Sequence, residues 1–328
     1  MLSKEQPLYS HDVYFDVKMD KSRREVLERQ GYRIVGSHSA VKLCHWLKSE
    51  ISGGPGCFKE TFYNIKSHRC LQMTPTVDVC NLNCLFCWRA QDWGSSSLTK
   101  SDDPEILLEE SIKAQRILIS GFKGDPRVGM ERFIESSHPN QVAISLTGEP
   151  TLYKRLGEFI EVCHKRKMTT FLVTNGTTPS IIKKLDPLPT QFYVTVSAPT
   201  EEIYERLAIP KSKHEWRNLI QTLELLPSLN TRTVIRHTLV DHWNMGYYDE
   251  YAKLDSIADP KFIECKAYMF VGRSRHRLSI ENMPSHRFIR EFSKNLGKAT
   301  GYTMAGERED SSVVLLTRDG KLHQLTTS

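Results

Sequence analysis

No stretch of the chain approaches the roughly 20 consecutive apolar residues that a membrane-spanning helix needs. Residues 1–10 contain no apolar segment of the kind that drives secretion, so an intracellular, cytoplasmic protein with no membrane partner is expected. There is no internal repeat and no long low-complexity tract. Charge of neither sign dominates: 45 Lys and Arg against 39 Asp and Glu leave a formal +6. With 39% hydrophobic and 26% charged residues, the composition is that of a soluble, folded protein. At 328 residues the chain can bury a sizeable core, which excludes a small module held together only by metal or disulfides.

The eight cysteines are unevenly spread. In a reducing compartment clustered cysteines point to metal or catalysis rather than to disulfides. Cys80, Cys84 and Cys87 form C-x3-C-x2-C within CNLNCLFCWR. Cys44, Cys57 and Cys70 form a second triplet with twelve residues in each gap. A structural zinc site wants four ligands in a closed tetrahedron. Three thiolates can instead hold three corners of a cubane iron–sulfur cluster, leaving the fourth iron free for a small molecule. Zinc completed by a ligand from elsewhere is the alternative for either triplet, and scattered core cysteines are a further one for the second. Cys163 lies on a helical apolar face and Cys265 alternates with Ile263 and Ala267, so both are expected in the core.

From residue 74 onward strands alternate with helices, which predicts an α/β fold with a parallel sheet or barrel. Strands are expected at 74–79, 142–147, 170–175, 192–197, 233–240 and 262–270. Before them, residues 37–51 read as a helix carrying Cys44, ended by Ser52, Gly53 and Gly54. Asp103 and Pro104 open a helix in the first connection, after a Ser/Gly-rich stretch at 94–97. Helices are expected at 152–168, 201–207 and 215–226, then one started by Pro284, and a terminal hairpin turning at Asp319-Gly320.

Period two along the strands separates an apolar face (Val142, Ile144; Phe192, Val194; Ile263, Cys265) from a polar one (Ser145, Thr147; Tyr193, Thr195, Ser197; Arg236, Thr238; Glu264, Lys266, Tyr268). An ordinary barrel packs its interior with branched apolar residues, whereas this interior is suited to a polar ligand. Four motifs fall at the C-terminal strand ends, where such folds gather their chemistry. They are the thiol motif, Gly148-Glu149-Pro150, Asn175-Gly176-Thr177 and Ser197-Ala198-Pro199.

C-x3-C-x2-C after the first strand, followed by GEP, resembles the radical S-adenosylmethionine (SAM) superfamily, over about residues 74 to 272. The resemblance implies a partial (β/α)6 barrel. It implies a 4Fe-4S cluster on Cys80, Cys84 and Cys87, whose unique iron chelates SAM; the reduced cluster then cleaves SAM to methionine and a 5′-deoxyadenosyl radical. Gly148, Glu149 and Pro150 would face the methionine amino group, and Asn175 and Ser197 its carboxylate or the ribose.

The spacing of Cys44, Cys57 and Cys70, together with CNLNCLFCWR, is similar to the archaeal 4-demethylwyosine synthase family over essentially the whole chain. That family implies two 4Fe-4S clusters, the second on Cys44, Cys57 and Cys70. It implies condensation of pyruvate with N1-methylguanosine at position 37 of phenylalanine tRNA, a carbon–carbon lyase reaction by class. Family members with a flavodoxin-like domain carry their own electron donor; here an external donor such as a flavodoxin or ferredoxin is expected. On this division residues 1–73 carry the second cluster, 74–272 form the core and 273–328 a basic extension.

Lys59, two residues after the middle cysteine, is where the family places a Schiff-base lysine, a known use of a desolvated amine; Lys42, Lys48 and Lys66 compete locally. An open iron on the second triplet would accept the pyruvate carboxylate. Arg273, Arg275, His276 and Arg277 follow the sixth strand, with Arg287 and Arg290 beyond, and suit a phosphate backbone. Trp88, Trp93 and Trp243 are candidates to stack on anticodon bases. Glu264, Lys266 and Tyr268 are candidates for proton handling with no assigned step. Another two-cluster radical enzyme and a zinc-stabilised RNA-binding protein remain the competing readings.

Overall fold

The computed structural model describes residues 21–91 and 95–326. Residues 1–10, Trp93 and Gly94, used in the sequence reading, lie outside them.

Ten strands form one sheet in the spatial order β1-β2-β3-β4-β5-β6-β7-β8-β10-β9. The six central strands are parallel: β3 (Cys70–Thr74), β4 (Gln141–Ile144), β5 (Thr169–Thr174), β6 (Gln191–Thr195), β7 (Arg232–Leu239) and β8 (Phe262–Ala267). With helices in the crossovers this is the partial (β/α)6 barrel that the sequence resemblance implies. An antiparallel pair, β1 (Tyr32–Val35) and β2 (Ser39–Lys42), extends it beside β3. At the other edge β10 (Val313–Thr317) pairs with β8, and β9 (Thr303–Arg308) closes the sheet.

Three expectations are corrected. The first barrel strand is Cys70–Thr74, not 74–79, because Pro75 has no N–H to continue the ladder and the chain turns after it. The stretch 37–51 is split: Ser39–Lys42 is strand β2, and only His45–Ile51 is helical, with Cys44 at its N-cap. The terminal hairpin turns at Glu309–Ser311 and Ser312, the latter left-handed at φ 43°, while Asp319-Gly320 comes after β10. Helix Pro104–Ile119 is capped by Asp103, which accepts from the Glu105 and Ile106 amides, as the sequence predicts. Helix Leu156–Lys165 is shorter at both ends than its expected span, and helix His286–Thr300 starts beyond Pro284 with Ser285 as its cap.

The apolar face of the strands packs on the helices as predicted, with Val142, Ile144, Phe192, Val194, Ile263 and Cys265 all fully buried. Cys163 joins that core. The interior is two-layered, which alternation alone does not indicate. Near the N-terminal strand ends Phe171, Tyr193, Val234 and Phe262 form an apolar floor. Helix Phe58–Tyr63 lies on it, the Tyr63 ring meeting Phe171 and Phe262 edge-on at 5.9 and 5.3 Å. On β5, Phe171 belongs to the floor and Val173 packs against it.

Candidate active site

Above the floor a cavity of about 320 Å³ opens at the C-terminal strand ends. Cys80, Cys84, Cys87, Glu149, Asn175, Ser197, Arg236 and Lys266 all contribute to its wall. Four separate sequence motifs therefore meet in one space.

The thiol loop is held from several sides. Its Cys80 amide donates to the Ser95 carbonyl at 2.9 Å, and the Asn83 and Leu85 amides donate to carbonyls at Ala208, Ile209 and Leu207. Gly148 sits directly beneath, left-handed at φ +73°, where an added Cβ would lie 1.7 Å from the Thr76 carbonyl oxygen. Only glycine fits there. The Glu149 carboxylate is buried and takes four donors: the Thr151 amide and hydroxyl, the Thr174 hydroxyl and the Asn175 amide, at 2.6 to 3.1 Å. Burial raises its affinity for a proton, partly offset by those bonds. This carboxylate thus ties the β4 and β5 loops together. Asn175 in turn donates to Asn81 at 2.8 Å and approaches the Cys80 sulfur at 3.9 Å.

The second triplet sits where elements begin. Cys44 and Cys57 are the N-caps of helices His45–Ile51 and Phe58–Tyr63, and Cys70 opens β3. The Cys70 thiol feels the charge of both Cys44 and Cys57, as Cys84 does that of Cys80 and Cys87. Burial pushes Cys57 up to about 11 and Cys70 up to about 12, with Lys59 opposing. Metal ligation must therefore displace protons from these thiols. Among the described residues no three Cys, His, Asp or Glu side chains converge closely enough to chelate one metal ion.

Each triplet supplies three thiols, the donor number of a cubane with one open corner, and Cys80, Cys84 and Cys87 share one cavity wall. A second observation supports the fit at the first set. Arg89, next to the thiol motif, is buried, and its Nη1 has no hydrogen-bond partner among the described residues.

Lys59 projects from helix Phe58–Tyr63 over the floor, its ammonium 5.0 Å from the ring centres of both Phe171 and Tyr193. Burial and the nearby Arg236 charge make it less basic than an ordinary lysine, with Cys57, Cys70 and Glu264 pulling the other way. Its competitors are elsewhere. Lys48 is exposed, Lys66 pairs with Glu135 at 2.9 Å, and Lys42 lies over Tyr32 and Trp88.

Beside Lys59 lies a buried hub. Glu264 accepts from Arg236 Nε and Nη2 at 3.0 and 2.7 Å, from Tyr63 at 2.6 Å and from Tyr193 at 3.1 Å. Burial alone would raise the Glu264 carboxyl, but Arg236, Tyr63 and Lys59 outweigh it and hold it below the ordinary carboxylate range. Lys266 donates to the Ser311 carbonyl at 2.5 Å and is brought down to about 8 by burial and Arg236. Tyr268 donates to Ser274 at 3.0 Å. The sequence marks Arg236 and Glu264 as interior but carries no sign of Tyr63, which lies 201 positions from its partner.

The basic residues divide. Arg275 and His276 are exposed. Arg273 is half-buried, and its amide donates to the Trp88 carbonyl. Arg277 is directed inward to the Leu85 and Cys87 carbonyls. Arg290 is exposed and pairs with Glu307 at 3.4 Å. Trp88 stacks on Tyr32, with ring centres 5.8 Å apart, and Trp243 lies under the Arg206 guanidinium.

A thiol loop at the C-terminal end of the first parallel strand of a six-stranded half-barrel defines a radical SAM enzyme. The radical SAM superfamily model matches residues 74–254, and a model for wyosine base formation matches 257–318. The chain belongs to the radical SAM superfamily and, within it, to the tRNA 4-demethylwyosine synthase family. An S-adenosyl-L-methionine-dependent tRNA 4-demethylwyosine synthase of Pyrococcus horikoshii is 50% identical over 313 residues, covering 94% of this chain and 92% of its own. The human protein of that name, TYW1, is 39% identical over 297 residues, 89% of this chain and 40% of its own. A solved structure of TYW1 with a lysine–pyruvate adduct bound matches with a TM-score of 0.85 at 36% identity, covering 94% of this chain and 98% of its own. A crystal structure of archaeal TYW1 matches at 0.77 and 33%, covering 94% and 100%. Membership implies SAM and an iron–sulfur cluster. Among the described residues no helix is long and apolar enough to cross a membrane.

Proposed function

We propose that this chain condenses pyruvate with N1-methylguanosine at position 37 of phenylalanine tRNA, closing the third ring of 4-demethylwyosine. The observation that carries this reading is the seat of Lys59, an amine of lowered basicity over an aromatic floor beside the Glu264 hub. A relative of the same fold holds a lysine–pyruvate adduct. Lys59 would attack the keto carbon of pyruvate and lose water to give an imine, the ordinary chemistry of a desolvated lysine.

Cys80, Cys84 and Cys87 would hold the cluster that binds SAM, and Cys44, Cys57 and Cys70 a second 4Fe-4S cluster. When bound and reduced, the first supplies the electron that splits SAM into methionine and a 5′-deoxyadenosyl radical. The protein's own part is to orient and to exclude water. Gly148, Glu149 and Pro150 would face the methionine amino group of SAM, and Asn175 and Ser197, which line the same cavity as Gly148 and Glu149, its carboxylate or ribose. Arg275, with Arg273, would meet the tRNA backbone at the cavity mouth. The enzyme would act in the cytoplasm as a carbon–carbon lyase, with a flavodoxin or ferredoxin as electron donor.

The test is anaerobic turnover of N1-methylguanosine-containing tRNA with pyruvate, SAM and a reductant. Formation of the tricyclic nucleoside by mass spectrometry is expected. A fully iron-loaded protein that cleaves SAM but leaves this tRNA unchanged would point to another two-cluster radical enzyme.

A further inference from the structure

Arg89 directly follows the thiol motif and is only 5% exposed. Its Nη2 donates to the Leu82 carbonyl at 2.8 Å, so the side chain spans the inner side of the loop that carries the three thiols. Its Nη1 is sealed from water and, among the described residues, has no well-formed hydrogen-bond partner. The guanidinium lines the same cavity as Cys80, Cys84 and Cys87 and lies within interacting range of the Cys87 sulfur.

A guanidinium stays charged in a protein and presents its donors in a rigid fork. Buried donors are almost always paired, so a dry, unpaired one beside three thiols marks where an acceptor belongs. The sulfurs of a thiolate-ligated cluster are such acceptors, and they become more negative when the cluster takes an electron. Hydrogen bonds to the sulfurs and net charge nearby are among the factors that set a cluster's reduction potential. In a low-dielectric pocket a fixed positive charge acts strongly.

We propose that Arg89 Nη1 donates a hydrogen bond to a sulfur of the cluster held by Cys80, Cys84 and Cys87, and that this buried cation raises that cluster's reduction potential. The inference rests on the reading that those three thiols hold the cluster. Arg89 is then a positioning and tuning residue: the cluster gains one electron, the external reductant loses it, and no bond to Arg89 forms or breaks. The loop geometry serves this role, because anchoring Nη2 on Leu82 fixes the plane of the fork in the wall that the three thiols share.

Reductive titration of the full-length, cluster-loaded protein, followed by EPR, tests it, with the SAM-responsive signal assigned to this cluster. Arg89→Gln is expected to make reduction at least tenfold less favourable, a midpoint about 59 mV more negative for one electron. Arg89→Lys keeps the charge but cannot bond to Leu82 and a cluster sulfur with the same fork, so an intermediate shift is expected. A wild-type midpoint in an iron-replete Arg89→Gln protein overturns the proposal. Should that variant fail to assemble its cluster, a wild-type midpoint in Arg89→Lys overturns it instead. Wild-type protein with no SAM-responsive signal would defeat the cluster reading itself and this inference with it, whereas a normal wild-type signal with unmoved variants defeats the inference alone.

Discussion

Arg277 reaches back 190 positions to donate to the Cys87 carbonyl, and its Nε donates to the Leu85 carbonyl at 3.1 Å. Next to it the Arg273 amide donates to Trp88 at 2.9 Å, and Gly272, at φ +60°, packs so closely that a Cβ would lie 2.5 Å from the Trp88 carbonyl oxygen. The basic loop after β8 and the thiol loop after β3 are therefore one mechanical unit.

That stitching separates two arginines that the sequence presents as equivalent. Arg277→Ala is expected to lower iron content and to destabilise the fold by about 1.5–3 kcal/mol, the usual worth of charged hydrogen bonds. Arg275→Ala should leave iron content unchanged, weaken tRNA binding and reduce its salt slope by about 1. Iron analysis, chemical denaturation and tRNA binding across a salt series distinguish them.

Borohydride should trap radiolabelled pyruvate on the iron-loaded protein, and Lys59→Ala should abolish the trapping. Lys42→Ala, Lys48→Ala and Lys66→Ala should retain it, since their amines lie outside the floor. Lys266 is the serious competitor, with its pKa lowered to about 8. Trapping that survives Lys59→Ala but is lost in Lys266→Met would transfer the role.

Glu264→Gln should destabilise the protein by about 3–5 kcal/mol, because it leaves the Arg236 charge buried without its counterion. The folded carboxyl is held below its ordinary value, so its stabilising contribution is complete above the unfolded pKa of about 4.3 and disappears as pH falls through the lower folded value. Denaturation midpoints from pH 7 down to pH 3 should show a wild-type decline below about pH 4.5. The Gln variant should lack that component.

Gly148→Ala places a Cβ on the Thr76 carbonyl and a side chain at positive φ. Backbone strain of this kind costs about 1–3 kcal/mol before any clash, so a loss of at least that size is expected by denaturation. The thiol loop lies directly above, and SAM-dependent changes in the cluster EPR signal should weaken in parallel.

Much of the fold can be read in advance because it depends on local chemistry. Asp103 before Pro104 caps its helix whatever lies beyond, and the alternation of Ile263, Glu264, Cys265 and Lys266 sorts outside from inside on any parallel strand. The errors arise where local signals compete. The TVDVC alternation looks like a strand, yet Pro75 cannot donate, and the ladder lies one step earlier in Cys70–Thr74. Ser39–Lys42 looks like the first turn of a helix, and only its neighbours on β1 and β3 make it a strand.

By itself the sequence determined the two thiol triplets, the polar inward face and the motifs along one rim, because spacing and periodicity are properties of neighbouring residues. Only the tertiary structure decided that Tyr63 meets Glu264 across 201 positions, that Lys59 stands over Phe171 and Tyr193, and that Arg277 belongs to the thiol loop. Those contacts follow from how helix Phe58–Tyr63 and the loop after β8 are packed against the barrel. Burial of distant apolar surface sets that packing, and no short window of residues contains it.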